Sequence, residues 1–332
     1  MKFLFLRGAV PKDRDPKEIL YNDIKKCDDV WTHLIYTMTK PEDYTELLYW
    51  GGKREFKVSS NFTERYVPNF KRFKPTFKPD VIIARGGFPE YDTILKQFPD
   101  AFKVYYGAGK RYMPTGFTNY NLILQDSEQQ LQECEKRFPN THVIKFIKPT
   151  VDHLFKPLDI KKEFDVCFIG NGSQEKIKGH GFVYKTSPPD LKILNLGNKP
   201  KLKLPKHITR KRVLRSQMSR EIQRCKVGIV PYSSKFDSCP RVIPELLACG
   251  IPIVVLKGVR FWSDLYLNYR TGIISNKEDF WKNVRYLIEN IDKFDPSHYY
   301  ENYLSLKSAS AYLRGIIYRD LRKSLSSGSS QC

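Results

Sequence analysis

The sequence is short of acidic residues and has no paired cysteines. Among its 332 residues, 36 Asp and Glu face 57 Lys and Arg, so the net charge is +21 at pH 7. The seven cysteines are dispersed, without a Cys-x-x-Cys pair or a Cys and His spacing suited to a metal, which argues against a structural zinc site. An odd, scattered set of this kind indicates a reduced, cytoplasmic protein.

Long hydrophobic runs are also missing. Residues 1–7 contain too few apolar side chains before a charge for the core of a signal peptide, and no later run reaches the length of a membrane span. We therefore expect a soluble protein, as a monomer or a homodimer. A hydrophobic fraction of 41% is globular, and the length predicts two domains.

The excess of positive charge favours polyanionic partners. Nucleic acid is the first candidate and an anionic membrane surface the second. Basic residues cluster in segments 53–78 and 199–215 and at Lys110 and Arg111. The first segment and its flank also contain the aromatic residues Tyr49, Trp50, Phe56, Phe70, Phe73 and Phe77. Because basic side chains bind phosphates and aromatic rings stack on exposed bases, this mixture favours DNA.

Short apolar runs that end in glycine or charge predict an α/β fold. The first series of expected strands covers residues 2–6, 80–84, 102–106, 121–124 and 143–147, with a helix over 127–137. The second series covers residues 164–169, 191–196, 227–230 and 251–256, with helices near 215–224 and 241–249. This alternation predicts two Rossmann-like, doubly wound domains facing across a cleft.

The expected domains are an N-terminal acceptor domain over residues 1–157 and a C-terminal donor domain over 158–295. A helix over 296–323 is expected to pack back toward the first domain, and the Ser/Gly-rich residues 324–332 to form a disordered tail. Segment 30–78 fits the alternation less well, since it is rich in aromatic and basic residues and contains prolines. An acceptor-binding insertion and a lid are both open interpretations.

The strongest chemical signal lies between Asp237 and Val255. It predicts a loop, a helix and a buried strand, with the helix beginning near Pro240 and ending at Gly250. The N–H groups at a helix start can seat a diphosphate. Asp237 precedes that position, and Glu245 follows inside the helix, where a carboxylate can accept hydrogen bonds from both ribose hydroxyls.

This stretch resembles the donor-site signature of retaining GT-B glycosyltransferases, in which two acidic residues eight apart precede an Ala-x-Gly-x-Pro-Val turn. Asp237 and Glu245 have that spacing. Residues 151–157, Val-Asp-His-Leu-Phe-Lys-Pro, are similar to the run that closes the family's N-terminal domain. The resemblance covers residues 142–260. It implies metal-independent, retaining transfer from a nucleoside diphosphate sugar, with a UDP-sugar as the leading donor and no permanently bound cofactor.

The resemblance also implies roles for single residues. In the family the first acid binds the transferred sugar and the second holds the ribose. Asp237 is therefore the leading catalytic candidate, and Asp13 and Asp15 join it because the loop after the first strand lies where donor sugar and acceptor meet in relatives. Asp13-Arg14-Asp15 also spells the Asp-x-Asp metal pattern of GT-A enzymes, but it comes too early in the chain for that topology.

One departure from the family concerns the diphosphate. Where relatives carry an Arg after the strand, this chain has Asn171, and the missing cation could come from Arg212, Arg215 or Arg241. Lys176 is the candidate for the family's Lys. The full donor-binding set is Gly8, Gly170, Asn171, Gly172, Lys176, Arg215, Ser238, Cys239, Pro240, Arg241 and Glu245. The acceptor-binding set is Arg14, Arg85, Gly86, Gly87, Lys110 and Arg111.

Three functions remain open. The leading hypothesis is a phage-type DNA glycosyltransferase that adds a hexose or pentose to a hydroxymethylated base, of the 5-hydroxymethylcytosine type, flipped out of the duplex. The alternative enzyme is a peripheral-membrane glycosyltransferase of lipid-linked or surface glycans. The alternative from another class is a non-catalytic nucleic-acid-binding protein on a GT-B scaffold, motivated by Asn171 and by Asp at the first acidic position.

Overall fold

The computed structural model describes residues 1–8, 29–50, 54–68, 70, 73, 75–107, 112–233 and 239–328. The chain divides into two compact units. The first comprises Met1–Phe146 with Ala309–Cys332, and the second comprises Ile147–Ser308.

The first unit is built on a sheet of eight described strands. They are β1 (Lys2–Arg7), β2 (Tyr44–Trp50), β3 (Arg54–Ser59), β4 (Phe62–Val67), β5 (Val81–Arg85), β6 (Phe102–Tyr106), β7 (Leu122–Gln125) and β8 (His142–Lys145), in the order β3-β4-β2-β1-β5-β6-β7-β8. The β3–β4 pair is antiparallel, and every other neighbouring pair is parallel. The first three helices are α1 (Val30–Met38), α2 (Tyr91–Gln97) and α3 (Glu128–Arg137).

The core of this unit follows from strands that are apolar on both faces. Leu4 and Leu6 of β1 are fully buried in one cluster with Leu48, and on alternate positions Phe5 stacks against Trp31 of α1 with ring centroids 6.2 Å apart. Such near-continuous apolar runs are typical of parallel strands covered on both sides. Asp29 caps α1, since its carboxylate accepts a hydrogen bond from the Thr32 amide at 3.0 Å.

Segment 30–78 is part of this sheet, so it is not an addition to the first domain, as its composition suggested. It contains α1 and three of the eight strands, and β2 lies directly beside β1. The strand pattern is hidden in the sequence because polar side chains interrupt it. Glu46 of β2 is buried, and its charge is matched by Arg65 of β4, 2.5 Å from the carboxylate.

The second unit is built on a sheet of six described strands, all parallel. They are β9 (Phe164–Ile169), β10 (Ile193–Leu196), β11 (Ile208–Lys211), β12 (Cys225–Val230), β13 (Ile253–Leu256) and β14 (Gly272–Ser275), in the order β11-β10-β9-β12-β13-β14. Its helices are α4 (Glu175–Lys178), α5 (His180–Thr186), α6 (Arg215–Gln223), α7 (Val242–Ala248), α8 (Ser263–Tyr266), α9 (Phe280–Glu289) and α10 (Pro296–Tyr299). Short 3₁₀ turns cover Gly172–Gln174 and Ile291–Lys293, and a π-helical turn covers Tyr300–Leu304.

This strand order is that of a doubly wound dinucleotide-binding sheet. The chain winds outward from β9 to β11, then returns to the other side of β9 with β12 and continues to β14. Ligands bind such sheets beyond the carboxyl ends of the strands, at the point where the winding reverses. In this unit that point lies between β9 and β12.

The last helix, α11 (Leu306–Gly328), is anchored to the first unit by a buried ion pair. The Arg314 guanidinium contacts the carboxylate of Asp43, which is fully buried, and donates to the Met38 carbonyl at 3.0 Å. The pKa of Asp43 is lowered, because hydrogen bonds from Arg314 and the N-terminus outweigh the opposing effect of its burial. The helical backbone continues past Ser324, where the sequence predicts the tail to begin. Across the described ranges, no helix is both long and apolar enough to cross a membrane.

Candidate functional site

The loops at the carboxyl edge of the second sheet are tied to one another. Ser233, after β12, donates its amide hydrogen to the Ile177 carbonyl at 2.8 Å, and the Tyr232 hydroxyl contacts the Ile169 carbonyl at the end of β9. A Cβ atom on Gly179, whose φ is +76°, would overlap the Pro231 carbonyl oxygen. The two loops that flank the winding reversal therefore form one fixed surface.

Gly170, Asn171 and Gly172 occupy structural positions in that surface. A side chain on Gly170 would contact the buried His180 ring at 2.7 Å, and one on Gly172 would overlap the Lys199 carbonyl group. The exposed Asn171 accepts a hydrogen bond from the Ser173 amide at 3.2 Å and so caps the following 3₁₀ turn. Asn171 thus has a local conformational role in this turn.

A cavity of about 600 Å³ lies at this edge, and we call it the switch-point cavity. Its lining includes three lysines, Lys176, Lys257 and Lys277, one carboxylate, Glu175, and the side chains of Phe182 and Tyr232. The three lysines are exposed: Lys176 lies in α4, which follows β9, and Lys257 and Lys277 lie in the loops after β13 and β14. Of the predicted donor residues, Lys176 lines this cavity, whose volume falls in the range of small-molecule sites, roughly 300–1,000 Å³.

Arg215 and Glu245 form an ion pair. Arg215 begins α6 and Glu245 lies in the first turn of α7. The Arg215 Nη1 donates to Glu245 Oε1 at 2.8 Å, and the guanidinium lies over the Phe155 ring, 5.0 Å from its centroid. Glu245 is only 3% exposed, so the ion pair orients a carboxylate that is almost entirely enclosed.

The observed start of α7 agrees in part with the start that the sequence predicts. The helix begins at Val242, directly after Pro240 and Arg241, while Asp237 and Ser238 lie outside the described residues. Cys239 and Pro240 are buried, and Arg241 is exposed. Lys148 donates its Nζ hydrogen to the Cys239 carbonyl at 2.8 Å, a contact with no sequence signal because Lys148 is 91 residues away.

The first unit carries a second group of predicted residues at the carboxyl edge of its sheet. A side chain on the buried Gly8 would overlap the Phe88 ring. The Arg85 guanidinium lies over the Trp31 ring at 4.9 Å, and Gly86 has a left-handed φ of +75°. Gly87 approaches Thr115 so closely that a Cβ atom would lie 2.7 Å from its hydroxyl. The other predicted residues of this unit lie outside the described ranges: Asp13, Arg14, Asp15, Lys110 and Arg111.

A polar cluster beside these residues has no sequence motif. Arg7, in register with Arg85 on the neighbouring strand, contacts the Asp29 carboxylate and donates to the Tyr49 hydroxyl at 3.4 Å. Glu64 of β4 is 5% exposed, and burial raises the pKa of its carboxyl to about 7, opposed by the charge of Arg7. Tertiary pairing of strands distant in sequence assembles this cluster.

The aromatic residues that favoured base stacking are largely in the core. Tyr49, Phe70 and Phe73 are at most 5% exposed, and Tyr49 stacks on Tyr66 at 4.8 Å. Arg65, the basic residue among them, lies over the Phe73 ring and pairs with Glu46. These three rings therefore fill the interior of the first unit, while Trp50 and Phe77 are half-buried at the edge of the same core. No group of three or more potential metal-ligand side chains occurs in the part of the chain that the structure describes.

No family model matches the sequence, and no curated protein is significantly similar to it. Solved structures do match. Sucrose-phosphate synthase from Thermosynechococcus elongatus has a TM-score of 0.69 at 10% identity, over 97% of this chain and 99% of that chain. Anabaena HepE in complex with UDP and glucose has a TM-score of 0.62 at 12% identity, over 96% of this chain and 99% of that chain. The pneumococcal O-GlcNAc transferase GtfA, in complex with UDP and GlcNAc, has a TM-score of 0.50 at 11% identity, over 73% of this chain and 57% of that chain.

These similarities confirm the predicted fold class. The chain has two Rossmann-like α/β domains of the GT-B type, and its sequence is only 10–12% identical to those of the three proteins.

Proposed function

We propose that this chain is a glycosyltransferase that moves a sugar from a UDP-sugar to a hydroxyl acceptor. The observation that carries the proposal is the switch-point cavity, where Lys176, Lys257 and Lys277 converge beyond the carboxyl ends of a dinucleotide-binding sheet. Two of the similar structures, HepE and GtfA, are complexes with UDP. A GT-B fold with a cavity at the winding reversal, lined by three lysines and one carboxylate, suits a nucleoside diphosphate.

The second unit contains groups for each part of such a donor. The lysines of the cavity would neutralise the charge that develops on the departing diphosphate, without requiring a metal ion. Glu245, held by Arg215, would accept hydrogen bonds from the ribose hydroxyls. Asp237, seven residues after Val230 at the end of β12, would contact the transferred sugar. Retention of anomeric configuration is the outcome that we propose for this arrangement.

The acceptor has two candidate classes. A hydroxymethylated DNA base is supported by the net charge of +21, but Tyr49, Phe70 and Phe73 are buried and cannot stack on a base. A lipid-linked acceptor is supported by a specific observation. Leu204 and Leu214 are 39% and 69% exposed within the most basic segment of the second unit. This combination favours a membrane-bound acceptor.

The test is sugar transfer by the purified protein with a panel of UDP-sugars. The release of UDP is measured with hydroxymethylcytosine-containing duplex DNA and, separately, with polyprenyl phosphate-linked sugars in vesicles. Mass analysis of nucleosides and of extracted lipid identifies the product. We expect transfer to one class, and an absence of UDP release and of product with every donor and acceptor would contradict the enzymatic proposal.

Variants connect that activity to the cavity. Lys176→Ala and Lys257→Ala should each lower the transfer rate by about 10²-fold, the scale of losing one preorganised donor to developing charge. Lys293→Ala is the matched control, since this lysine is exposed in the same unit but does not line the cavity. Equal activity of all three variants would place the donor elsewhere.

A further inference from the structure

The second unit has a long segment without negative charge. Between Asp190 and Glu221 the sequence contains ten Lys and Arg and no Asp or Glu. Eight of these cations are exposed: Lys192, Lys199, Lys201, Lys203, Lys206, Lys211, Arg212 and Arg220. Positive charge is therefore concentrated on the side of the sheet that β11 borders.

Two parts of this segment meet at one corner of the sheet. The Gly197 amide donates to the Lys211 carbonyl at 3.0 Å, and the Arg210 guanidinium donates to the Gly197 carbonyl at 3.2 Å. The loop that leaves β10 and the chain that leaves β11 therefore start side by side. We call the exposed side chains of these two parts the basic corner: Lys199, Lys201, Lys203, Leu204, Arg212 and Leu214.

The lysine ammonium groups of the basic corner form no ion pairs within the described part of the unit. A cavity of about 480 Å³ is lined by Lys199, Lys201, Lys203 and Arg210, and no carboxylate lines it. Glu175 accepts a hydrogen bond from the Lys201 backbone amide at 2.8 Å, but among the described residues no carboxylate lies within ion-pair distance of the side-chain ammonium groups of the three lysines. Clustered cations without internal partners raise the local positive potential and attract an external polyanion.

The apolar members of the basic corner distinguish between possible polyanions. Leu204 lines the same cavity as the lysines, and Leu214 is 69% exposed just beyond Arg212. Residues 191–220 contain no Phe, Tyr or Trp, so the segment lacks the rings on which nucleic-acid bases stack. Leucines beside lysines instead suit the boundary between phosphate headgroups and acyl chains.

We propose that the basic corner is a docking surface for an anionic lipid membrane. The lysines and Arg212 contact headgroup phosphates, and Leu204 and Leu214 enter the acyl region. This docking does not depend on glycosyl transfer, because it uses no residue of the switch-point cavity or of the Arg215–Glu245 pair. It would bring the second unit to the surface on which a lipid-linked acceptor lies.

The test is sedimentation of the full chain with vesicles in the absence of nucleotide. Wild-type protein should bind phosphatidylcholine vesicles that contain phosphatidylglycerol and should not bind pure phosphatidylcholine. The variant K199S/K201S/K203S should bind about 100-fold more weakly, at about fivefold per lysine. The variant K199R/K201R/K203R should bind like the wild type.

A matched control removes the same charge elsewhere. K282S/K293S/K307S changes three exposed lysines of the second unit outside the basic corner and should retain binding. The double variant L204S/L214S keeps every charge. It should weaken vesicle binding by at least about tenfold, because two leucine side chains can no longer be buried in the acyl region. Thermal melting of each variant checks that the fold is intact.

Three results would overturn the proposal. Equal losses in the two triple-serine variants would show that net charge alone drives adsorption. Unchanged binding of the double leucine variant would show that no side chain enters the lipid. Binding of a duplex oligonucleotide that is lost in K199S/K201S/K203S, together with no binding to anionic vesicles, would identify nucleic acid as the partner. Each result leaves the UDP-sugar activity to be judged by its own assay.

Discussion

Replacement of Glu64 by Gln should stabilise the first unit at neutral and alkaline pH. Burial raises the pKa of the Glu64 carboxyl to about 7 from an ordinary value of 4.5. The unfolded chain therefore releases this proton at a lower pH than the folded chain does. Below pH 4.5 the carboxyl is protonated in both states and does not change the unfolding free energy. As the pH rises from 4.5 to 7 the unfolding free energy falls, and above 7 the folded state carries the full cost of a buried charge.

The magnitude follows from that difference. The interval from 4.5 to about 7 corresponds to about 3 kcal/mol of unfolding free energy, at about 1.4 kcal/mol for each unit of pH. Gln has nearly the same shape and carries no charge. Glu64→Gln should thus match the wild type near pH 4 and exceed it by about 3 kcal/mol at pH 8.

The assay is urea unfolding across this pH range, followed by tryptophan fluorescence. Trp31 and Trp50 report on the first unit, and replacing Trp262 and Trp281 by Phe in both proteins isolates that signal. Glu135→Gln, at an exposed position of the same unit, is the matched control and should show no comparable gain at pH 8. A constant difference between Glu64→Gln and wild type at all pH values, or a loss of stability at pH 8, would refute the reasoning.

Three further predictions concern other contacts. Arg314→Ala should cost the first unit about 1.5–3 kcal/mol in urea unfolding, because it removes a charged hydrogen-bond partner from the buried Asp43 carboxylate, which then keeps the N-terminal ammonium group as its ion-pair partner; a loss below about 0.5 kcal/mol would contradict this account. Gly179→Ala should lower the melting temperature of the second unit and weaken UDP binding, because the added Cβ atom would overlap the Pro231 carbonyl and the backbone φ is +76°. Unchanged UDP affinity in calorimetry would show that this turn is not part of the donor site. Glu245→Gln should keep the fold, because the amide oxygen can still accept a hydrogen bond from Arg215. It should weaken the affinity for a UDP-sugar by about tenfold in calorimetry. Full affinity would show that Glu245 does not contact the donor.

Much of the fold could be predicted where strands are apolar and bounded by glycine. The expected strands over residues 164–169 and 102–106 match β9 and β6 without a shift. Strands β11 (Ile208–Lys211) and β14 (Gly272–Ser275) gave no comparable signal, since they are edge strands of four residues with exposed side chains. Strand β2 was hidden by Thr45 and Glu46, whose burial depends on partners elsewhere in the chain.

The site was less accessible to sequence analysis, because composition does not distinguish buried from exposed side chains. Tyr49, Phe70 and Phe73 match a stacking surface in composition, but they are core residues of the first unit. The ion pair of Arg215 with Glu245 joins positions 30 residues apart, and only the parallel arrangement of β11 and β12 with their following helices brings them together. The convergence of Lys176, Lys257 and Lys277 has no motif, since each lysine follows a different strand.

The measurement that tests the central claim most directly is photocrosslinking of the full chain with an azido derivative of UDP-glucose, followed by peptide mapping. We predict crosslinks within the second unit, in peptides that contain Lys176, Tyr232 or Lys257, and their loss when unlabelled UDP is added. Crosslinks confined to the first unit, or labelling that excess UDP does not displace, would contradict a nucleotide site at the carboxyl edge of the second sheet.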